Sequence, residues 1–342
     1  MLIFQCNMLL ALKNEYRTRR KIVYYLKYVT KRVLLMLLTF SIIVTICFVL
    51  VKLLPNIPAE QFGKDKELIM QRREMLGYNK PIMVQLGLFI KHAFQGNFGV
   101  GETYMSGSEV WTVFKGRLPY TVVLNVVTMI VSIPLGLLLG IFAALKKNKW
   151  QDHVISTGVM IFVSVPSFIY AFIVQYLLYF KLGWADAVST TIDGAFSWSY
   201  ISSIVPAVLS MSFGTIAGFA RYTRAELTEV LTSDYMLLAR TKGLTKSQAT
   251  VRHAMRNAMV PIFPMILGEF LSIMSGSLII ERLFSIPGVG ELYVQSVQAQ
   301  PAPDYNFFML LTVFYTFLSL AASIVIDLSY GIIDPRIRMG AK

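Results

Sequence analysis

Six long apolar runs constrain the fold of this chain more than any other feature of its sequence. A helix that crosses a bilayer needs about 20 consecutive, mostly apolar residues. The runs of about this length or longer are 33–51, 118–145, 154–180, 194–220, 257–280 and 305–326. Five contain no charged residue, and the fifth in chain order contains one, Glu269. The sequence therefore predicts an all-α polytopic membrane protein with six transmembrane helices.

The distribution of charge predicts which side of the membrane each loop faces. Charged residues make up 15% of the chain, against about 25% in a typical soluble domain. The net charge is +13, and the positive excess lies in 1–32, 146–153, 221–256 and 327–342. Because cytoplasmic loops are rich in Lys and Arg, both termini are predicted to be cytoplasmic. This orientation in a cell membrane accounts for the charge, so no nucleic-acid partner is expected.

These boundaries divide the chain into a cytoplasmic segment (1–32), a first span (33–54), an external loop (55–117) and a core (118–331). The core holds a cytoplasmic loop at 221–260 and an external loop at 281–304. It overlaps the sixth span (305–329), and a tail (330–342) follows that span. The first segment is strongly basic and reads either as an orientation anchor that touches anionic lipid or as a partner site. Its cations are Lys13, Arg17, Arg19, Arg20, Lys21, Lys27, Lys31 and Arg32.

Two local patterns predict how helices pack. In the first external loop, apolar residues recur at helical spacing between Pro81 and Gly96, which predicts an amphipathic helix. Within the spans, the pairs Gly136/Gly140 and Gly214/Gly218 place small residues on one helix face, where another helix can approach closely. The residues of the amphipathic pattern are Ile82, Leu86, Phe89, Ile90 and Ala93.

The fifth span is the candidate translocation path. A charge inside a span is costly and usually faces the bundle interior or a water-filled path. Glu269 is such a charge, and small or polar residues follow it at Ser272, Ser275 and Gly276. These residues either line a path through the membrane or form a structural contact inside the bundle.

The sequence carries no recognisable catalytic or metal-binding signature. It has no Gly-x-x-x-x-Gly-Lys-Ser/Thr loop for a nucleotide and no His-Glu-x-x-His or paired Cys-x-x-Cys for a metal. The histidines His92, His153 and His253 fall in separate loops. We therefore expect no enzymatic activity, no ATP hydrolysis and no bound cofactor or metal in this chain.

The cytoplasmic loop 221–260 has the pattern of a short helix followed by a longer one. Thr232 or Ser233 can cap a helix that begins near Asp234 and ends at Gly243, where a left-handed residue is favoured. Thr245 can cap a second helix that reaches Met259 and is stopped by Pro261. Such a loop either enters a groove on another protein or is an ordinary basic loop.

The same loop resembles the cytoplasmic signature of ABC-importer permeases, and more narrowly the B-type permease of the dipeptide/oligopeptide/nickel group. The motifs that carry the resemblance are Asp234-Tyr235, Ala239-Arg240, Lys242-Gly243-Leu244, the run 252–258, and the stretches 76–81, 96–99, 117–121, 284–290 and 327–336. Leu237-Leu238 depart from the Glu-Ala of the general importer signature, and Asn97 replaces a residue that is usually acidic.

The resemblance implies a type I ABC-importer permease fold and a division of labour. A second, homologous permease chain would complete the pore, two ABC ATPase subunits would bind ATP and Mg, and an external or periplasmic solute-binding protein would deliver the solute. Asp234, Tyr235, Ala239, Arg240, Lys242, Gly243 and Leu244 would form the coupling helix that contacts an ATPase. Phe284, Pro287, Gly288 and Gly290 would form an external gate.

Other functions remain open at this stage. The same family handles peptides, nickel or other metal chelates, glutathione and heme, and no ligand cluster in the sequence selects among them. An ion-coupled secondary transporter would need mid-membrane charges, for which Glu269 and Asp327 are the candidates. A membrane signalling or scaffold protein would use the loop 221–260 for binding alone. The leading prediction is import of oligopeptides or dipeptides.

Overall fold

The computed structural model describes residues 2–54, 58, 65–183, 193–271 and 278–333, with side chains from residue 23 except 24, 25 and 330–333. The described residues are almost entirely helical. Their helices are α1 (Leu2–Leu53), α2 (Lys66–Met75), α3 (Ile82–Ala93), α4 (Val110–Leu145), α5 (Trp150–Ser164), α6 (Ser167–Gln175), α7 (Trp198–Ser203), α8 (Val205–Leu231), α9 (Asp234–Thr241), α10 (Lys246–Ala249), α11 (Met255–Leu271), α12 (Leu278–Leu283), α13 (Val289–Gln298) and α14 (Tyr305–Ile333). Two π-helical segments, Tyr176–Lys181 and Thr250–Ala254, follow α6 and α10.

At least three of these helices are long and apolar enough to cross a membrane. They contain the stretches Leu26–Leu53, Val110–Leu145 and Tyr305–Ser329. A bent pair, Trp150–Ser164 with Ser167–Lys181, forms a fourth candidate if it counts as one span. The predicted spans 194–220 and 257–280 coincide largely with α8 and with α11 and the start of α12. Among the described residues, three or four segments thus qualify as spans by length and composition, while six spans with cytoplasmic termini stay a prediction.

Helix α1 extends far beyond the first predicted span. The basic segment 1–32 and the span 33–54 were separate units in the sequence prediction, but one continuous helix covers nearly all of both. The stretch contains neither glycine nor proline, the two residues that most disfavour a helix interior. The basic residues therefore sit on a helical extension of the first span.

The bent pair breaks at Val165 and Pro166. Val165 is extended, with ψ of 127°, as expected for a residue that precedes proline. The two halves meet at an angle of 98°. The Tyr170 hydroxyl donates to the Phe162 carbonyl at 3.0 Å, so one backbone acceptor close to the break is satisfied by a side chain.

Helices α4 and α8 pack closely, and glycine makes this possible. A Cβ atom on Gly136 would lie 2.7 Å from the Cβ of Phe219, and one on Gly140 would lie 2.6 Å from the Cβ of Thr223. The predicted close approach at Gly136/Gly140 is confirmed. For Gly214/Gly218 it is wrong within this chain, because no described atom lies within 4 Å of a Cβ built there.

Helix α3 has the predicted bounds and packs on two spans. It begins after Pro81 and ends at Ala93. Leu86 is buried against Val44 and Phe48 of α1 and Met309 of α14. The amphipathic helix predicted in the first external loop is therefore confirmed and lies on the helix bundle.

The predicted stop at Pro261 is wrong. Helix α11 continues through Pro261 and Pro264 to Leu271. Ile262, between them, is fully buried against Ile133 of α4 and Phe219 of α8. Packing on neighbouring helices lets a span tolerate proline, so here tertiary contacts outweigh the local helix-breaking effect.

Candidate functional site

Helix α9 is the predicted coupling helix, and its first residue is Asp234, as expected. Ser233 occupies the capping position with an extended backbone, φ −76° and ψ 153°. Its hydroxyl donates to the Val230 carbonyl at 2.6 Å and caps no amide of α9. The predicted position of the cap is therefore correct, but the predicted side-chain cap is not formed.

The end of α9 is a Schellman motif centred on Gly243. Gly243 has φ of +89°, a left-handed conformation that glycine adopts without a steric penalty. Its N–H donates to the Arg240 carbonyl at 3.0 Å, and the Leu244 N–H donates to the Ala239 carbonyl at 3.3 Å. Leu244 also packs against the cluster that contains Ala239, which completes the motif. The predicted role of Gly243 as helix terminator is confirmed.

The two faces of α9 differ in what they contact. Met236 and Ala239 are buried against Leu227 of α8 and Ala249 of α10. On the other side Leu237 and Leu238 are 64% and 54% exposed. Asp234, Tyr235, Arg240 and Lys242 are exposed as well. Exposed apolar groups in a polar rim are typical of a protein contact surface.

The segment after α9 provides the base on which it rests. The Thr245 hydroxyl accepts from the Gln248 N–H, and the Gln248 side chain accepts from the Thr245 N–H. This capping box satisfies two backbone donors at the start of α10. The predicted cap at Thr245 is confirmed.

An ion pair that the sequence did not predict fixes the neighbouring helix ends. Arg224 of α8 contacts Asp152 of α5, with Nη2 2.8 Å from Oδ2, and Asp152 is 1% exposed. The Asn148 N–H also donates to this carboxylate at 2.9 Å. Both oxygens of the Asp152 carboxylate therefore have partners. The residues are 72 apart in sequence, so no local pattern indicates the pair.

The predicted gate residues lie where α12 joins α13, and we call residues 281–290, from the end of α12 to the start of α13, the gate turn. Phe284 is 2% exposed and packs on Leu124 of α4 and Ile204. Gly288 and Gly290 are buried, and Pro287 is half-buried. The structure brings the four residues together in a packed turn against α4.

Glu281 organises the gate turn, and sequence analysis did not single it out. Its side chain is fully buried. Its Oε1 accepts from the Thr121 hydroxyl of α4 at 3.0 Å, and its Oε2 accepts from the Glu291 N–H at 3.0 Å. The Thr121 Oγ1 accepts from the Val289 N–H at 2.8 Å. A charged residue just after an apolar run was the only local signal for this role.

Further ionic contacts hold the surroundings of the gate turn. Arg117 of α4 pairs with Glu291 at 3.0 Å. The Asp304 carboxylate accepts hydrogen bonds from the backbone N–H groups of Glu102, Thr103 and Tyr104. Burial raises the pKa of Asp304, and these backbone hydrogen bonds oppose the rise. The loop before α4 and the segment before α14 are thereby fixed to each other.

The candidate translocation path is only partly covered by the structure. Glu269 is half-buried, and the Thr215 hydroxyl of α8 lies 3.5 Å from its Oε1. Ser272, Ser275 and Gly276 lie outside the described residues. The contact with Thr215 places the Glu269 side chain toward a neighbouring helix.

Helices α4 and α8 connect the two sites. Thr121 of α4 lies at the gate turn and Ala144 of the same helix lies against the base of α9. In α8, Val208 belongs to the hydrophobic cluster that contains Phe284 of the gate turn. Leu227 of the same helix belongs to the cluster that contains Ala144 and the buried face of α9. A helix rises about 1.5 Å per residue, so about 35 Å of helix separate Thr121 from Ala144, with Pro134 between them. Helices α4 and α8 therefore form a packed connection between the base of α9 and the gate turn. Among the described residues, no group of three or more His, Cys, Asp and Glu could hold a metal ion.

Two families match most of the sequence. Residues 136–339 match the binding-protein-dependent transport system inner membrane component, and residues 25–125 match the N-terminal part of a binding-protein-dependent transport system membrane component.

Curated relatives and a solved structure are also similar to the chain. The dipeptide transport system permease protein DppB of Lactococcus lactis is 32% identical, over 92% of this chain and 99% of that protein. The glutathione transport system permease protein GsiC of Salmonella typhi is 32% identical over 92% and 99%. A putative peptide transport system permease of Brucella abortus is 33% identical over 91% and 98%. A structure of the MetNI methionine ABC transporter aligns with a TM-score of 0.49 and 15% identity, over 64% of this chain and 96% of that chain.

Proposed function

Because the chain belongs to the family of binding-protein-dependent transport system inner membrane components, we propose that it forms half of the pore of an ATP-driven importer of short peptides. It is a non-catalytic subunit of a transport system in the cell membrane. Relatives whose names specify dipeptides, glutathione and peptides support the substrate class. A tripeptide such as glutathione and a dipeptide share a peptide backbone and two charged ends, so one pore can pass both.

The observation that carries the mechanism is the connection of α9 to the gate turn by one packed helix pair. Exposed Leu237 and Leu238 offer a surface for an ATPase subunit, and the buried face of α9 rests on α8 and α10. We propose that closure of the ATPases displaces α9 and that α4 and α8 transmit this displacement to the gate turn. Alternating access then needs two packings of the pair, whose balance ATP and solute each bias.

The remaining parts of the proposal follow from the family and from charge. Six spans with both termini in the cytoplasm would place α9 inside and the gate turn outside. A second, homologous permease would complete the pore as a heterodimer. Two ATPase subunits would bind ATP and Mg, and a solute-binding protein would deliver the peptide. Glu269, with Ser272, Ser275 and Gly276, would face the path.

The test is ATP-dependent uptake of a mixed oligopeptide pool into proteoliposomes. They contain this chain, its partner permease and the ATPases, with ATP enclosed and the binding protein outside. We expect Gly243→Arg to insert normally and to abolish uptake, because it places a bulky charge in a left-handed position beside the docking face. Gly183→Arg is the matched control, since Gly183 also has positive φ, 57°, and no described atom lies within 4 Å of its Cβ position.

Two further variants separate backbone conformation from bulk. A Cβ on Gly243 would meet no described atom within 4 Å, so alanine fits there sterically. The left-handed conformation costs alanine roughly 1–2 kcal/mol but is tolerated by asparagine. Uptake should therefore be higher for Gly243→Asn than for Gly243→Ala. Normal uptake by Gly243→Arg would refute the coupling role, and ATP turnover that responds to a metal chelate but not to peptides would refute the substrate class.

A further inference from the structure

A cleft of about 560 Å³ opens between α9 and the turn that joins α4 to α5. We call it the basic cleft. The α4–α5 turn contributes Lys147 and Lys149, α8 contributes Thr228, and α9 and α10 contribute Arg240 and Lys246. Its volume is in the range of sites that bind small molecules or headgroups. Leu237 also lines the cleft, so the cleft adjoins the exposed apolar face of α9, whereas the gate turn lies elsewhere.

The cleft carries a strong excess of positive charge. Lys147, Lys149, Arg240 and Lys246 line it, against one carboxylate, Asp234. The ion pairs found within the described part of the chain involve other residues. The four cations are therefore available to an anion from outside the chain, and a phosphate group is the anion that clustered Lys and Arg recognise most readily.

One buried polar atom also lacks a partner in this wall. Thr228 Oγ1 is shielded from solvent, and among the described residues it has no hydrogen-bond partner. Thr228 lines the cleft together with Thr232 and Ser233. Because water cannot reach this atom, a ligand in the cleft does not bond it in this conformation, and recognition of an anion rests on the four cations.

The level of the cleft favours a lipid as the source of that phosphate. The apolar helix α4 ends at Leu145, directly before the lysines of the cleft. Trp150, at the start of α5, is 71% exposed, and exposed tryptophan is typical of the membrane–water interface. The lining therefore lies where lipid headgroups are found, and lipid chains can flank α4.

We propose that the basic cleft binds the phosphate-bearing headgroup of an anionic phospholipid. The bound headgroup stabilises the start of α9 against the α4–α5 turn, so that the lipid becomes part of the support of the coupling helix. Its position on the inner surface rests on the proposed function, but the binding itself does not depend on transport.

The test compares lipid retention by charge variants in the assembled complex. The complex of this chain, its partner permease and the ATPases is placed in nanodiscs of phosphatidylcholine with a minor fraction of phosphatidylglycerol. Retained phosphatidylglycerol is counted by native mass spectrometry. Lys147→Gln/Lys149→Gln is expected to weaken retention about thirtyfold, the product of two lysine–headgroup interactions. Lys27→Gln/Lys31→Gln on α1 is the matched control, with the same charge loss at exposed positions outside the cleft.

Three outcomes would overturn the proposal. If the two double variants retain phosphatidylglycerol equally, any weakening comes from the lost net charge of the chain and not from the cleft. Equal occupancy by glycerol phosphate in discs of phosphatidylcholine alone would make a free phosphate ester the ligand. Retention of the lipid only after the ATPases are removed from the complex would assign the cleft to an acidic segment of those subunits. If the complex takes up no peptide but still retains phosphatidylglycerol, and Lys147→Gln/Lys149→Gln still weakens that retention, the result would count against the proposed function alone.

Discussion

Replacement of Gly288 by alanine is expected to destabilise the gate turn by about 3 kcal/mol. A Cβ on Gly288 would lie 2.2 Å from Glu281 Oε2 and 2.5 Å from Thr121 Oγ1. Both distances are far below van der Waals contact, so the Glu281 carboxylate would have to move. The backbone of Gly288 is extended, with φ of −91°, and tolerates alanine. The expected loss of stability therefore comes from the steric contacts of the added Cβ and not from backbone strain.

The magnitude follows from the hydrogen bonds that the displaced carboxylate would lose. Glu281 accepts one hydrogen bond from Thr121 and one from the Glu291 N–H. A buried polar group left without its partner costs about 1–3 kcal/mol. Two such losses, reduced by relaxation of the Glu281 side chain, give a value near 3 kcal/mol. Thr121 lies on α4, which belongs to the proposed connection between the gate turn and α9. Transport should therefore fall together with stability.

The assay is the thermal midpoint of the purified protein in detergent, measured beside Gly116→Ala. A Cβ on Gly116 in α4 meets no described atom within 4 Å, so that variant should match or slightly exceed the wild type. Gly288→Ala should lower the midpoint by several degrees. An unchanged midpoint for Gly288→Ala would refute the reasoning, because it would mean that the turn accommodates the methyl group without disturbing Glu281.

Three further predictions concern the helix pair and the coupling region. Gly140→Ala should cost about 2 kcal/mol by forcing helices apart, whereas Gly218→Ala should be neutral; thermal midpoints compare them. Asp152→Asn should cost about 2 kcal/mol, below the value for a fully buried pair because Arg224 is one-third exposed. Thermal midpoints of Asp152→Asn and the wild type measure this loss. Thr245→Ala should cost about 1 kcal/mol and increase amide exchange at the start of α10.

Each of these expectations has a specific contrary result. Equal midpoints for the two glycine variants would mean that the contact between α4 and α8 is not tight in the assembled protein. A midpoint of Asp152→Asn equal to that of the wild type would mean that the pair with Arg224 adds nothing to stability. Unchanged exchange in Thr245→Ala would show that backbone contacts alone fix the start of α10.

Local chemistry made several elements predictable from the sequence. Pro81 marked the start of α3, Gly243 the end of α9 and Thr245 the cap of α10, because each acts on backbone groups within a few residues. The same reasoning failed at Pro261, where packing against α4 and α8 decides the outcome. It also failed for the hydroxyl of Ser233, which bonds backward to Val230 instead of capping α9.

The parts of the site that could not be predicted depend on residues far apart in sequence. Thr121 and Glu281 are 160 residues apart, and Asp152 and Arg224 are 72 apart. Each pair lies on two elements that only the fold brings together. A single sequence indicates that such charges are costly near a membrane but not which partner each one finds.

The break between α5 and α6 has a consequence for how this segment enters the membrane. The two halves of the bent pair are Trp150–Ser164 and Ser167–Lys181. Each is about 22 Å long at roughly 1.5 Å per residue, which is short of the ~30 Å that a bilayer core requires. Phe213 of α8 stacks on Phe162 from one half and contacts Tyr170 from the other. We therefore expect stable insertion of the pair to wait for α8, which the ribosome makes afterwards. Until then the Tyr170 hydroxyl and a few waters would be the local groups available to satisfy the carbonyls at the break.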